Sequence, residues 1–292
     1  MIMIQHICGD WTNIFTPFGG IGVAIFLFLS GFGLNESYKI NGIEDYWQKK
    51  ILRVVLPYAL FRFVCLLVNF DTNWLDFLLD IVCYKSSYWY IDFTMRCYLV
   101  FWIGRKYFAK HTILILMIFS LYTFFAMDAL RAEQALSFPL GVLVSLKYDY
   151  IQEWSKSKLY VLMSLFGLVG MTSLVIKQFA YIRSLQGTNY YTIVELGIKL
   201  PLAITCMIVL SMLPIRFKHS LVLGFCGVLS LELYLVHMRV IPMLVENSFM
   251  QGWVVIIISM LLAYSFHAVV NNLIHKLRNN GRETSGIMDR RS

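Results

Sequence analysis

Nine runs of apolar residues, separated by short polar segments, dominate the chain and limit the folds that it can adopt. They lie at residues 17–36, 51–70, 89–104, 112–128, 134–147, 158–176, 191–213, 220–244 and 253–274. A bilayer core of about 30 Å needs about 20 apolar residues per helix, so each run is near spanning length. Residues 1–8 resemble the last two turns of a further helix. The sequence predicts an all-α, polytopic transmembrane helix bundle with nine full spans plus a partial first helix.

The composition agrees with lipid as the solvent. The chain of 292 residues is 59% hydrophobic and 14% charged, whereas a soluble domain is about 45–50% apolar and about 25% charged. This excludes an ordinary soluble enzyme and a disordered chain. We expect one transmembrane domain at residues 1–274 and a basic cytoplasmic tail at residues 275–292.

Basic residues predict the orientation, because Lys and Arg are enriched on the cytoplasmic side. If the run at 17–36 ends in the cytoplasm, the segments on that side hold 17 of the Lys and Arg residues and the outer segments hold 4. This split predicts a multi-pass protein with a cytoplasmic C-terminus. The net charge of +8 then marks one side of a membrane bundle, and we expect no nucleic acid partner.

Ionisable residues inside apolar runs are costly and are therefore candidates for function. Asp92 and Arg96 are four residues apart, as are Glu195 and Lys199, so each pair can be neutralised within its own helix. We interpret both pairs as mainly structural. The other candidates in or beside the runs are His6, Arg62, Glu232, His237, Arg239 and His267.

Two further patterns suggest chemistry. A neutral His6 could act as a general base towards a sugar hydroxyl, or it could be an interfacial histidine with one hydrogen bond. Lys50 and Arg53, three residues apart on one helix face, could hold a polyanion such as a coenzyme A phosphate; the alternative is a plain positive-inside anchor. Glu232, Tyr234 and His237 make one helix unusually polar, and a hydrogen-bond network between helices is the simpler explanation.

Other segments are informative mainly for the fold. The glycines of the first full run (Gly19, Gly20, Gly22, Gly31 and Gly33) permit close helix approach. Residues 73–84 are apolar on one face and predict an interfacial helix on the outer side, or a loop folded over the bundle. No metal-binding, nucleotide-binding or serine-hydrolase motif is present, so we expect no metal site.

Five stretches, in order, resemble the acyltransferase family 3 membrane proteins. GGIGVAIFLFLSGFGL (19–34) is similar to the family's second helix, and YWQKKILRVVLPY (46–58) to its F-x-x-R-R-x-x-R-I-x-P-Y element. They are followed by SSYWYIDFTMRCYLVF (86–101), FPLGVL (138–143) and SLELYLVH (230–237). The family resemblance implies a bundle of about ten helices in a bacterial plasma or inner membrane.

The resemblance also implies an activity and roles for residues. Family members transfer an acyl group, usually acetyl, from acyl-coenzyme A to a hydroxyl of a cell-surface polysaccharide or lipid-linked sugar, without a bound cofactor. The catalytic histidine of the family maps onto His6, and its R-x-x-R pair onto Lys50 and Arg53. The residues that match supporting motif positions are Ser30, Trp89, Glu232, Tyr234 and His237. Direct transfer and transfer through an acyl-histidine both remain open.

The resemblance is incomplete at the front of the sequence. The family places an Arg or Lys eleven residues before its histidine, but only five residues precede His6. The first helix is therefore expected to be truncated, since eight residues span about 12 Å. Two other functions are left open: a polysaccharide exporter or flippase, and an inactive, N-terminally truncated form. Paired broken helices would favour a transporter, and the sequence shows no such symmetry.

Overall fold

The computed structural model describes residues 1–8, 15–69, 74–82, 84, 86, 88–214, 220–244 and 249–288. Within these ranges the regular structure is helical and includes no strand, which confirms the all-α prediction. The α-helices are α1 (Ile2–Cys8), α2 (Thr16–Asn41), α3 (Tyr46–Lys50), α4 (Leu56–Asn69), α5 (Trp74–Ile81), α6 (Trp89–Tyr107), α7 (Thr112–Ala126), α8 (Ala129–Ala132), α9 (Ser137–Leu146), α10 (Tyr148–Gln152), α11 (Lys156–Gln178), α12 (Ala180–Ser184), α13 (Asn189–Met212), α14 (Leu221–Val228), α15 (Ser230–Leu244) and α16 (Phe249–Met288). A π-helical turn, Ile51–Val55, joins α3 to α4, and a 3₁₀ turn, Ala109–His111, precedes α7.

In the part of the chain that the structure describes, six helical segments are long and apolar enough to cross a membrane. They are Thr16–Asn41, Tyr46–Val68, Ala109–Ala126, Lys156–Gln178, Asn189–Met212 and Gly252–Leu277. The polytopic bundle is therefore confirmed, but the expected number of nine full spans differs. Charges within α6 lower its apolarity, α9 has only ten residues, and the run at 220–244 is divided into α14 and α15 at Leu229.

The chain forms two compact units. The first unit comprises Met1–Asp45 and Val82–Lys218, and the second comprises Tyr46–Ile81 and His219–Ser292. The last helix, α16, continues through Met288, past the start of the predicted tail at residue 275.

In the first unit, α2 and α9 cross with their backbones in contact. A methyl group on Gly31 would overlap the carbonyl oxygen of Phe138, and one on Gly141 would overlap that of Phe28. Lipid provides no hydrophobic driving force between helices, so close packing at small residues is a major source of association. Gly31, one of the glycines noted in the sequence analysis, lies at this crossing point.

Contacts at both ends show that α9 and α6 run in the same direction as α2; for α6, the Tyr90 ring at its start lies 6.3 Å from the Phe26 ring. Near the N-terminal end of α2, Gln134 Nε2 donates to the carbonyl oxygen of Gly20 at 2.9 Å. Near its C-terminal end, Asn35 Nδ2 donates to Ser145 Oγ at 2.7 Å, and Arg105 of α6 donates to Asn35 Oδ1. These contacts bring the starts of the parallel helices to one end of the unit and their ends to the other.

Helix α13 runs parallel to α2 as well. The Lys199 side chain lies against Gly20, and four residues later Ala203 packs in a buried cluster with Ala24. The polar residues at the start of α13 therefore lie at the same end of the first unit as the start of α2. This end corresponds to the side that the distribution of Lys and Arg predicts to be outside the cell, and that orientation stays a prediction.

In the second unit, α3, the π turn and α4 form one continuous helical segment. Ring contacts join α4 to α16, where the centroids of Phe61 and Phe266 are 6.0 Å apart, and α4 to α5, where those of Phe63 and Phe77 are 6.3 Å apart. The helix expected within residues 73–84 is present as α5. It turns Asp80 into the unit and leaves Asp76 exposed.

We predict that the α2–α9 crossing tolerates no added methyl group. Gly141→Ala should destabilise the protein by about 1–3 kcal/mol, because the new Cβ would meet backbone atoms that cannot rotate away. Thermal unfolding in detergent would measure the loss. The matched control is Gly33→Ala on α2, where a Cβ would have no neighbour within 4 Å. Equal stability of the two variants would contradict the close contact.

Candidate active site

His6 lies on α1, which packs against the start of α2. A methyl group on Gly19 would overlap Gln5, whereas one on Gly22 would lie 3.0 Å from Ile2 Cγ1. Helix α1 is therefore antiparallel to α2, and His6, the residue after Gln5, lies towards the N-terminal end of α2. The His6 side chain is exposed at that end.

The first ion-pair network at this end is centred on Asp92, which is 1% exposed. Its Oδ1 accepts from Arg96 Nε at 2.6 Å, and its Oδ2 accepts from Arg131 of α8. Arg131 also pairs with Asp128. Burial lowers the pKa of Arg131, but its hydrogen bonds to Asp92 and Asp128 raise the pKa overall. The network thus ties the start of α6 to the turn before α9.

A second network joins α13 to α11 and to the segment before α9. Lys199 pairs with Glu133 and, at 3.1 Å, with Glu195 Oε2, while Lys177 of α11 pairs with Glu195 Oε1. These four charges balance, as do the four of the Asp92 network. Because a buried charge without a partner is costly, we interpret both networks as structural supports of the end that carries His6.

Sequence spacing identified only half of each network. The pairs Asp92–Arg96 and Glu195–Lys199 form as predicted. Each pair also has ion-pair partners from other segments, which are Arg131, Glu133 and Lys177. Arg131 and Lys177 are two of the four basic residues in the predicted outer segments. Basic residues are uncommon on the outer side, so the presence of Arg131 and Lys177 there was the sequence signal that could have indicated buried ion-pair partners.

At the C-terminal end of α2, a separate polar cluster locks α2, α9 and α6 together. Besides its bond to Asn35, the Ser145 hydroxyl donates to Glu36 Oε1 at 2.6 Å, and Lys39 donates to the Ser145 carbonyl oxygen at 2.7 Å. Arg105 completes the cluster through Asn35. The sequence motifs did not indicate this cluster, because its contacts between helices join residues that are 70 to 110 positions apart along the chain.

Lys50 and Arg53 lie at the π turn of the second unit. Lys50 ends α3, is partly buried and has its Nζ 5.9 Å from the centre of the Tyr46 ring, whereas Arg53 lies within the π turn and is exposed. The prediction that Lys50 and Arg53 share one helix face was based on α-helical spacing. An i→i+5 turn is wider than an α turn, so it spreads the two cations farther apart around the axis.

The near-terminal motif residues lie on α15. Glu232 Oε1 and His267 Nδ1 of α16 are 2.7 Å apart, and His267 Nε2 is 2.8 Å from Asn271 Nδ2. The fully buried His237 has its Nδ1 2.7 Å from the Leu233 carbonyl oxygen. The motif thus forms a hydrogen-bond network between helices, the simpler of the explanations that the sequence allowed.

The remaining candidates, Ser30 and Trp89, belong to the first unit. A hydrogen bond joins Ser30 to Tyr98 of α6, and Trp89 is the first residue of α6, with its ring centroid 6.4 Å from that of Tyr90. His6 is in the same unit, whereas Lys50, Arg53 and the α15 residues are in the second. Among the described residues, no three His, Cys, Asp or Glu side chains are grouped to hold a metal ion.

These features define a multi-pass, all-α membrane protein with a polar end that displays a histidine. A comparison with protein families matches residues 1–270 to the acyltransferase family 3 model, described as an acyltransferase domain. The match covers most of the chain, which therefore belongs to acyltransferase family 3, as the five sequence motifs indicated. No curated protein and no solved structure matches the chain.

The buried pair of α4 and α5 yields a stability prediction. Arg62 Nε pairs with Asp80 Oδ2, and the Tyr58 hydroxyl donates to Asp80 Oδ1. Asp80→Asn should cost about 3–5 kcal/mol, because it leaves the Arg62 charge buried without a counterion. Thermal unfolding would measure this against Asp76→Asn, an exposed carboxylate on the same helix. A double change of Arg62→Met and Asp80→Leu should recover much of the loss, and failure to do so would contradict a purely electrostatic cause.

Proposed function

We propose that the protein is an O-acyltransferase that moves an acyl group from acyl-coenzyme A to a hydroxyl of a cell-surface polysaccharide or lipid-linked sugar. The proposed acyl group is acetyl. The observation that carries this proposal is the family match over residues 1–270, together with an exposed His6 on the helix that begins the matched region. Acyl-coenzyme A is the donor substrate, and the protein needs no bound cofactor.

His6 is the proposed general base. An imidazole nitrogen accepts the proton of the acceptor hydroxyl, whose oxygen then attacks the thioester carbonyl carbon of the donor. The carbon–sulfur bond breaks, and coenzyme A leaves as a thiolate that takes up a proton. The networks of Asp92 and Lys199 are each balanced in charge, so they add no net charge to the end of the unit that carries His6.

Lys50 and Arg53 are the proposed donor-binding residues. Both are cations at the point where the chain enters the membrane in the predicted topology, with the C-terminus in the cytoplasm of a bacterial cell. Lysine replaces the first arginine of the family motif, so Lys50 offers a point charge rather than a bidentate fork. The phosphates of coenzyme A are the anions that such a pair suits.

The first test is transfer of labelled acetyl from acetyl-coenzyme A to the surface polysaccharide of cells that express the chain. His6→Ala should lower kcat by about 100-fold or more, because proton transfer by a positioned base contributes at least that factor. The control is His111→Ala, an exposed histidine beyond the C-terminal end of α6, which should keep full activity.

Unchanged transfer by His6→Ala would remove this residue from the mechanism. Polysaccharide export by the wild-type protein without any acylation would contradict the acyltransferase proposal and favour a transporter.

The second test concerns the donor. Lys50→Ala and Arg53→Ala should each raise the KM for acetyl-coenzyme A about tenfold with a smaller effect on kcat, because each removes a charge-assisted contact to phosphate. Lys50→Arg should preserve or lower the KM. Lys110→Ala, an exposed lysine in the 3₁₀ turn before α7, is the control, and an equal effect there would indicate only a general loss of positive potential.

A further inference from the structure

The π turn between α3 and α4 leaves the carbonyl oxygen of Leu52 without a helical donor. The Leu56 N–H donates to the carbonyl oxygen of Ile51, five residues earlier, rather than to that of Leu52. In the same pattern the donor for Leu52 would be residue 57, but residue 57 is proline and has no N–H. The Leu52 carbonyl oxygen therefore lies inside a continuous helical segment with no helical N–H to accept.

This position makes an unfilled acceptor costly. The turn lies near the start of Tyr46–Val68, one of the segments able to span a membrane, and a backbone carbonyl that enters the hydrocarbon region needs a hydrogen-bond donor. Single π turns inside α-helices are frequent at functional sites. Lys50 and Arg53 flank Leu52 in the chain, so the open acceptor lies beside the two proposed phosphate-binding cations.

We propose that the Leu52 carbonyl oxygen accepts a hydrogen bond from an amide N–H of the pantetheine arm of the acyl donor, and that Pro57 is the positioning residue that keeps this acceptor open. The inference rests on the proposed function, because it assigns a further part of the same donor. It concerns binding of the arm and adds no chemical step.

The chemistry of coenzyme A singles out the pantetheine arm. Its phosphates are acceptors only and cannot bond to a carbonyl oxygen, whereas the arm carries two amide N–H groups. Helical carbonyls point towards the C-terminal end of their helix, so the Leu52 oxygen points away from Lys50 and towards α4. A donor whose phosphates contact Lys50 and Arg53 would extend its arm in that direction, towards the predicted outer side.

The test compares two probes that share the adenosine and phosphate groups. Coenzyme A has the pantetheine arm, and adenosine 3′-phosphate 5′-diphosphate is the same molecule without it. Binding of both to the full chain in lipid nanodiscs should be measured for the wild type and for Pro57→Ala, which restores an N–H and allows an ordinary α-helical pattern. Pro201→Ala, a change at the proline within α13, is the matched control.

Pro57→Ala should weaken coenzyme A binding about three- to tenfold more than it weakens binding of adenosine 3′-phosphate 5′-diphosphate, which is the effect of one hydrogen bond. A changed spacing of Lys50 and Arg53 would affect both probes equally. Pro201→Ala should change neither. Equal weakening for both probes, or no weakening for either, would overturn the role of Leu52 and Pro57 while leaving donor binding intact. Failure of the wild type to bind either probe would instead overturn the proposed donor, and this inference with it.

A second measurement does not require the variant to fold. Coenzyme A analogues in which one pantetheine amide is replaced by an ester lack that N–H donor. One of the two should bind the wild type about three- to tenfold more weakly than coenzyme A, and Pro57→Ala, where it folds, should lose this discrimination. Equal binding of both analogues and coenzyme A by the wild type would overturn the proposal.

Discussion

The backbone contact of α2 with α9 is the constraint on which the rest of the first unit depends. Because Gly31 and Gly141 remove the side chains at the crossing, the two helices approach closely enough for Asn35 to reach Ser145 and for Gln134 to reach Gly20. Those bonds fix a parallel arrangement. It brings the start of α9 and the preceding segment, with Glu133, to the end of the unit that displays His6.

Neutralisation of charge is the second organising principle. In a medium of low dielectric constant, each carboxylate inside the bundle needs a cation, and Asp80, Asp92 and Glu195 each have one within ion-pair distance. Three of the five ion pairs that these carboxylates form join different helices, and two lie within one helix. Ion pairs therefore act here as connections between elements, in addition to satisfying local charge.

The sequence predicted the candidate site unevenly. Motif order proposes His6, Lys50 and Arg53, and this assignment stays a prediction. Helical spacing, which depends only on nearby residues, correctly predicted the pairs Asp92–Arg96 and Glu195–Lys199. It could not reveal that Arg131 and Glu133 complete these pairs, because such contacts join residues 39 and 66 positions apart along the chain. The sequence also predicted a regular α-helix at Ile51–Val55, where the structure has a π turn, because hydropathy carries no information about hydrogen-bond register.

By itself, the sequence determined that the helices lie in lipid, that the fold is all-α and that the protein belongs to acyltransferase family 3. Apolar runs near bilayer length permit only structures whose backbone groups are satisfied internally, and helices satisfy them locally. Tertiary structure alone decided how many segments form long uninterrupted helices, which helices contact each other and which charges are paired. Those outcomes depend on packing between distant segments and, at Leu52, on one proline that removes a donor from a helix that would otherwise be regular.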